Sequence, residues 1–322
     1  MPLVSVLMAV YNAEPWLEVA LQSLLRQSLS DIEVLAVDDA STDRSLAILQ
    51  KVATQDSRLR VFCQTENQGQ AVARNRALRE ARGEFVCMVD ADDWLSPDAL
   101  EAAVSVFRRH PLTDSVVLRL RMHYDGDGHE EDYAPTRNYL TNRNKDEHSD
   151  DLCLSGEAAF RLSLDWTLHG LYVVRRELHV RYPFDDSCRL YSDDNTTRLH
   201  YLHSREVRFC EGIYFYRQHP ESNTTAVTPR RFLYMEANLS MKRTLEQEGV
   251  SAEVKALYEV HRWHNYLGQL WLFFGNKDKF TKDERNQIRL RFRSVYRTFV
   301  RWLPFPLMYA EQWLRWRTKK YR

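Results

Sequence analysis

The amino-acid sequence predicts an α/β protein with a doubly wound first half, an α+β second half and a helical C-terminal region. Short apolar, β-branched runs recur at residues 3–10, 32–37, 59–63 and 84–89, with helix-period segments between them. Such runs read as buried strands, and helical connections imply parallel pairing. Two of these runs end in acidic clusters, Asp38-Asp39-Ala40-Ser41-Thr42-Asp43 and Asp90-Ala91-Asp92-Asp93. In open parallel sheets ligands bind at these strand ends, and crowded carboxylates there call for a cationic or hydrogen-donating partner. From residue 229 onward the pattern is helical throughout.

Taken in order, the first strand is followed by an amphipathic helix over 14–27. The second strand leads to a helix for which Ser41 or Thr42 is the candidate cap, with Asp43 in the first turn. The third strand precedes Asn67-Gln68-Gly69 and a helix over 70–82. The fourth runs into the second acidic cluster, and Ser96-Pro97-Asp98 then opens a helix with a capping serine and a proline at its first position. Residues 115–124 read as a strand closed by the turn Asp125-Gly126-Asp127-Gly128, which lacks the later ligands and closing Glu of an EF-hand. Residues 135–151 are polar, without periodicity, and read as a surface loop. A helix over 155–164, a strand over 170–175, a helix over 192–203 and strands near 206–217 complete the second half. The expected domains are therefore 1–226, with halves 1–113 and 114–226, and a helical region 227–322 whose last two helices part at Leu303-Pro304-Phe305-Pro306.

With 322 residues the chain can bury a large core. Its formal net charge of zero argues against a dedicated nucleic-acid binder. No apolar run approaches the roughly 18 residues that span a bilayer. The N-terminus has no basic segment ahead of its first apolar run, so it does not read as a signal peptide. Five widely spaced cysteines without a Cys-x-x-Cys pair fit a reducing cytoplasm. There is no Gly-x-Gly-x-x-Gly and no P-loop.

Val4-Ser5-Val6-Leu7-Met8-Ala9-Val10-Tyr11-Asn12, Val37-Asp38-Asp39-Ala40-Ser41-Thr42-Asp43, Ala73-Arg74-Asn75 and Val89-Asp90-Ala91-Asp92-Asp93 follow one another in this order. In that order and placement the chain resembles family 2 glycosyltransferases from residue 3 to about residue 226. The resemblance implies a GT-A-type mixed sheet, a nucleotide-diphosphate-sugar donor, a divalent cation (Mn2+ or Mg2+) and inversion at the anomeric carbon. Residue chemistry agrees. Tyr11 can stack on a uracil face, Asp39 can accept its N3–H, and Ala9 can offer only its backbone. The competing use of Asp38-Asp39 is helix capping.

By the match to the family's Asp-x-Asp motif, Asp90 and Ala91 contact the donor, Asp92 ligates the metal, and Arg74 reaches phosphate or ribose. An acceptor hydroxyl also needs a base. Asp185-Asp186 and Asp193-Asp194 are the candidate pairs, and the family's acceptor region favours the later one, with Asp194 as base. In the closing segment Tyr214–Thr224 the family can supply a histidine that completes the metal shell, here His219. Trp166 and the 135–151 loop are candidates for shaping the acceptor cleft. The expected partners are a UDP-sugar and a glycan or lipid-linked acceptor. A nucleotidyltransferase of similar fold, or a non-catalytic scaffold that keeps the fold, are the competing readings.

Residues 281–322 carry twelve Lys/Arg against three Asp/Glu, so the rest of the chain is equally anionic. Arg289, Arg291, Arg293, Arg297 and Arg301 interleave with Ile288, Phe292, Val295, Tyr296, Phe299 and Trp302. A basic, aromatic helix of this kind can lie on an anionic membrane surface, which predicts peripheral attachment to the inner face. The alternative packs the apolar stripe on the catalytic domain or on a second copy of the chain, as a homo-oligomer.

Overall fold

The computed structural model describes residues 1–143, 152–188, 190–219 and 227–299. The chain divides into two compact units, Met1–Ser222 and Asn223–Arg322. The first opens with strands and helices in alternation: β1 (Val4–Val10), α1 (Leu17–Leu25), β2 (Ile32–Asp38), α2 (Ser45–Ala53), β3 (Leu59–Cys63), α3 (Gln70–Glu80), β4 (Phe85–Met88), β5 (Trp94–Leu95) and α4 (Ala99–Arg109). It continues with β6 (Thr113–Tyr124), β7 (Glu130–Asp132), α5 (Ala134–Arg143), β8 (Cys153–Leu154), α6 (Gly156–Leu164), β9 (Tyr172–Arg175), α7 (Arg176–Arg181), α8 (Ser192–His203) and β10 (Glu206–Gln218).

Among the described residues one sheet runs β3-β2-β1-β4-β9-β6-β10-β5, with β7 on β6 and β8 on β10. The first four strands are parallel, in registers such as Val4↔Ile32 and Val4↔Phe85. Strand β9 runs antiparallel to both β4 and β6, and β10 is parallel to β6. This is the mixed α/β sheet that the sequence predicts. Period-two alternation along β1 explains its two faces. Val4, Val6, Met8 and Val10 pack with Leu17, Leu21 and Leu24 of α1, whereas Leu7 points to the opposite face, with Ala71, Ala73 and Ala77 of α3. Each such side chain is buried, and full burial of each Val, Leu or Met contributes about 1.5–3 kcal/mol.

Three local expectations change. Helix α2 begins at Ser45 and has no side-chain cap. Ser41 Oγ, Asp43 Oδ2 and Ser45 Oγ instead accept from the backbone N–H groups of Asn12, Glu14 and Ala13, so the polar residues after β2 hold the loop after β1. Helix α4 begins at Ala99, with no side-chain cap. The Ser96 hydroxyl donates to Asp98 and accepts from the Ile213 N–H, tying this turn to β10 rather than to the helix. The expected 135–151 loop contains α5, and residues 144–151 lie outside the described set.

The second unit holds α9 (Tyr234–Gln247), α10 (Ala252–Asn276) and α11 (Lys282–Tyr296). A capping box between Thr281 and Glu284 starts α11. Ile288, Phe292, Val295 and Phe299 are buried in this unit's core with Phe232, Tyr266, Phe273 and Phe280. The apolar stripe is thus used in intramolecular packing, on the helical unit itself. Arg289, Arg293 and Arg297 stay exposed, while Arg291 pairs with Glu236. Arg301, Trp302 and the Leu303–Pro306 break lie outside the described residues.

Candidate functional site

The acidic turn follows β4, where the Val89 N–H still donates to Leu7 O and the Asp93 N–H folds back to Asp90 O. Carboxylate oxygens of Asp90, Asp92 and Asp93 lie within 4.8 Å of one another. Asp93 is 1% exposed and accepts from the Tyr214 hydroxyl at 2.7 Å and the Arg217 N–H at 2.8 Å. Burial, then the charges of Asp92 and Asp90, push the Asp93 carboxyl well above the usual range. Asp92 is raised by burial and by Asp90, against the pull of His219. The His219 Nε2 lies 3.1 Å from Asp92 Oδ2. Three crowded carboxylates and an imidazole form a mainly oxygen donor set that fits Mn2+ or Mg2+, and a divalent cation would relieve the repulsion that raises these groups.

Arg74, from α3, is 1% exposed. It donates to Asp90 Oδ1 at 2.5 Å, lies 5.4 Å from the Phe184 ring centroid and feels the charge of Asp193. The guanidinium is thus buried and paired with Asp90. Its buried Nε and Nη1 have no hydrogen-bond partner among the described residues.

Asp39 follows β2 and is 2% exposed. It accepts from Gln64 Nε2 and from the Gln68 and Gly69 N–H groups. An ionised carboxylate has about four lone-pair sites, so one is left for a ligand donor. Gly69 has φ +94°, a value that lets its N–H turn toward Asp39 before α3 begins. Tyr11, at the end of β1, is half exposed. Ala9 is partly buried against the α3 side of the sheet, and Ala91 is buried in the opposite core.

Asp193 and Asp194 open α8 after Tyr191, whose backbone is left-handed. The Asp194 side chain is 12% exposed and lies 4.0 Å from Arg198 Nη2. Arg198 in turn faces the ring of Trp166, which is 38% exposed. The earlier pair serves a turn, in which Asp185 accepts from the Ser187 N–H and hydroxyl, and Asp186 is exposed. Asp193 also lines a cavity of about 20 Å³ with Tyr172, His179, Phe184 and Thr197.

Two pairs, Arg74–Asp90 and His219–Asp92, thus meet where the Asp90 and Asp92 carboxylates lie close together, and the charge of Asp193 acts on Arg74. Tyr11 and Asp39 stand at neighbouring strand ends, where the Asp39 N–H donates to Val10 O. Sequence reasoning missed Asp93 and Tyr214 as members. The third acid of the motif was visible, but its hydroxyl partner lies 121 positions away and left no local signal.

Comparison with known proteins gives the following. The chain matches the model of "Glycosyl transferase family 2" over residues 5–168. EpsJ of Bacillus subtilis, an uncharacterized glycosyltransferase, is 34% identical over 233 residues, 69% of this chain and 63% of that protein. The chain therefore spans just under two thirds of this relative's length. S. aureus TarS 1-349 in complex with UDP-GlcNAc superposes with TM-score 0.67 at 21% identity, covering 93% of this chain and 82% of that one. The mannosyltransferase PcManGT of Pyrobaculum calidifontis, in complex with GDP-Man and Mn2+, gives TM-score 0.57 at 19% identity, with 92% and 86% covered. At these identities the structural matches speak for the fold.

Proposed function

The chain belongs to glycosyltransferase family 2, and from that premise we propose that it moves a sugar from a UDP-linked donor to a hydroxyl of a glycan or lipid-linked acceptor in surface polysaccharide synthesis, with inversion. The observation that carries this reading is the cluster of Asp90, Asp92 and His219 joined through Arg74 to the field of Asp193. The donor motif and Asp193 of the acceptor-side pair both act on one buried cation. The nucleotide-sugar complexes of TarS and PcManGT support the donor class.

In this mechanism Tyr11 stacks on the base and the remaining lone pair of Asp39 accepts its N3–H. The backbone at Ala9 and Ala91 borders the donor, and Arg74 fixes Asp90 toward the ribose. Asp92 and His219 would hold Mn2+ or Mg2+, which when bound would neutralise charge on the departing diphosphate. Asp194 takes the proton of the acceptor hydroxyl as its oxygen attacks the anomeric carbon. The bond to the nucleoside diphosphate breaks on the opposite face, which inverts the centre.

Asp194→Asn keeps size and removes basicity, so turnover should fall roughly 10²–10⁴-fold with donor affinity intact. The same loss in Asp186→Asn but not Asp194→Asn would transfer the role to the earlier pair. Asp92→Ala should weaken UDP binding in Mn2+ and change little in EDTA. Equal loss in both conditions would count against its role as ligand.

A further inference from the structure

We propose that Trp16 is a positioning residue that holds the His219 ring in its metal-binding orientation. The inference rests on the proposed role of His219. A metal-ligating histidine usually donates its second ring N–H to a carboxylate or carbonyl, and that bond fixes the ring. Among the described residues the second nitrogen of His219, Nδ1, has no such bond. The residue is 8% exposed, and its Nε2 faces Asp92. The Trp16 indole supplies the missing restraint. The two ring centroids are 4.2 Å apart with an interplanar angle of 35°.

The support for Trp16 is rigid. It stands immediately before α1, and its N–H donates to Ala13 O. The preceding loop is held by the residues after β2: the N–H groups of Asn12, Ala13 and Glu14 donate to the Ser41, Ser45 and Asp43 side chains respectively, and Asn12 Oδ1 accepts from the Thr42 N–H. The same loop carries Tyr11. One pinned segment therefore bears both the residue offered to the base and the residue that orients the imidazole. His219 comes from the end of β10, so the indole also joins the last strand of the sheet to the first helix.

The test is Mn2+ titration by electron paramagnetic resonance with UDP present, alongside UDP binding in EDTA. Trp16→Ala should weaken Mn2+ binding by about 10–100-fold, the usual cost of losing a residue that orients a ligand, and leave UDP affinity in EDTA unchanged. Trp16→Phe, which keeps an aromatic face, should restore most of the loss. Equal losses in Mn2+ and EDTA would make Trp16 a scaffold residue only and overturn the proposal, as would a Phe variant no better than Ala. A wild type that binds Mn2+ no better than Trp16→Ala overturns this proposal alone. A wild type that binds UDP but no Mn2+ removes the metal role of His219 and this proposal with it. Independently of metal, the His219 ring protons should be shifted upfield by the indole face in wild type and not in Trp16→Ala. The absence of that shift in wild type also overturns the contact.

Discussion

Arg74 makes Asp90 different from its neighbours. Its charge is buried, and its ion-pair partner is a carboxylate whose side chain is 32% exposed. Replacing it with Leu leaves Asp90 beside Asp92 and Asp93 without its counter-ion. Breaking a buried pair costs about 3–5 kcal/mol, and the exposure of Asp90 puts Arg74→Leu at the lower end, readable as a reduced urea midpoint. Donor affinity should fall as well, because Asp90 loses its anchor. A variant that lowers donor affinity at unchanged stability would mean that Arg74 touches the ligand directly. Asp90 and Asp92 were legible in the sequence because a strand followed by an acidic turn is a local pattern. The burial of Arg74 was not, since it depends on Phe184, a residue from the other half of the unit.

Elements were legible where one period dominated. Strand β3 and helix α8 match their predicted bounds, because a five-residue apolar run and a helix opened by Ser-Asp-Asp leave few alternatives. Caps were misassigned because hydroxyls after β2 serve a loop 29 to 32 residues away, a tertiary use that outcompetes the local one. Strand β10 is a single strand with an irregularity between Phe209 and Ile213, where Gly212 meets the start of α4. A Cβ there would lie 2.6 Å from Ala99 Cα and 2.8 Å from its carbonyl oxygen. Backbone cannot yield as a side chain does, so Gly212→Ala should cost at least the about 1–3 kcal/mol of overpacking, seen as a lower denaturation midpoint. An unchanged midpoint would mean that α4 shifts freely along β10.

At the scale of the molecule, buried histidines tie stability to pH. Burial lowers His169 to about 3 and His200 to about 4. His200 donates from Nε2 to Tyr182 O and accepts at Nδ1 from the Tyr172 hydroxyl, a pairing that suits the neutral ring. The folded pKa values lie below the unfolded value near 6.5, so below that pH the unfolded chain binds protons that the folded chain does not. Stability is complete above about pH 6.5 and is lost down to about pH 4 for His200 and about pH 3 for His169, by roughly 1.4 kcal/mol per pH unit for each histidine. Urea midpoints at pH 7 and pH 5 check this, and His200→Gln should flatten the slope. The charge distribution carries a second expectation. With the stripe of α11 packed internally, the described part of the tail is expected to meet an anionic membrane only electrostatically, through Arg289, Arg293 and Arg297, each contributing about 1 kcal/mol. Co-sedimentation with anionic vesicles should then vanish as salt rises, and persistence at high salt would require an apolar insertion that the packed stripe does not offer.

The place of β10 between β6 and β5 has a consequence for the birth of the protein. The first 113 residues contain β1 to β5 and the acidic turn, yet Asp93 waits for Tyr214 and Arg217, 121 and 124 positions later. At about 5–20 residues per second, a ribosome separates these partners by on the order of ten seconds. During that interval β6 presents one unpaired edge, the situation that invites wrong pairing. A nascent chain stalled before residue 206 therefore carries every donor motif and none of the late residues that set the acids in place. Such a chain should bind neither UDP nor Mn2+, and the enzyme becomes competent only when its last strand is inserted between β6 and β5.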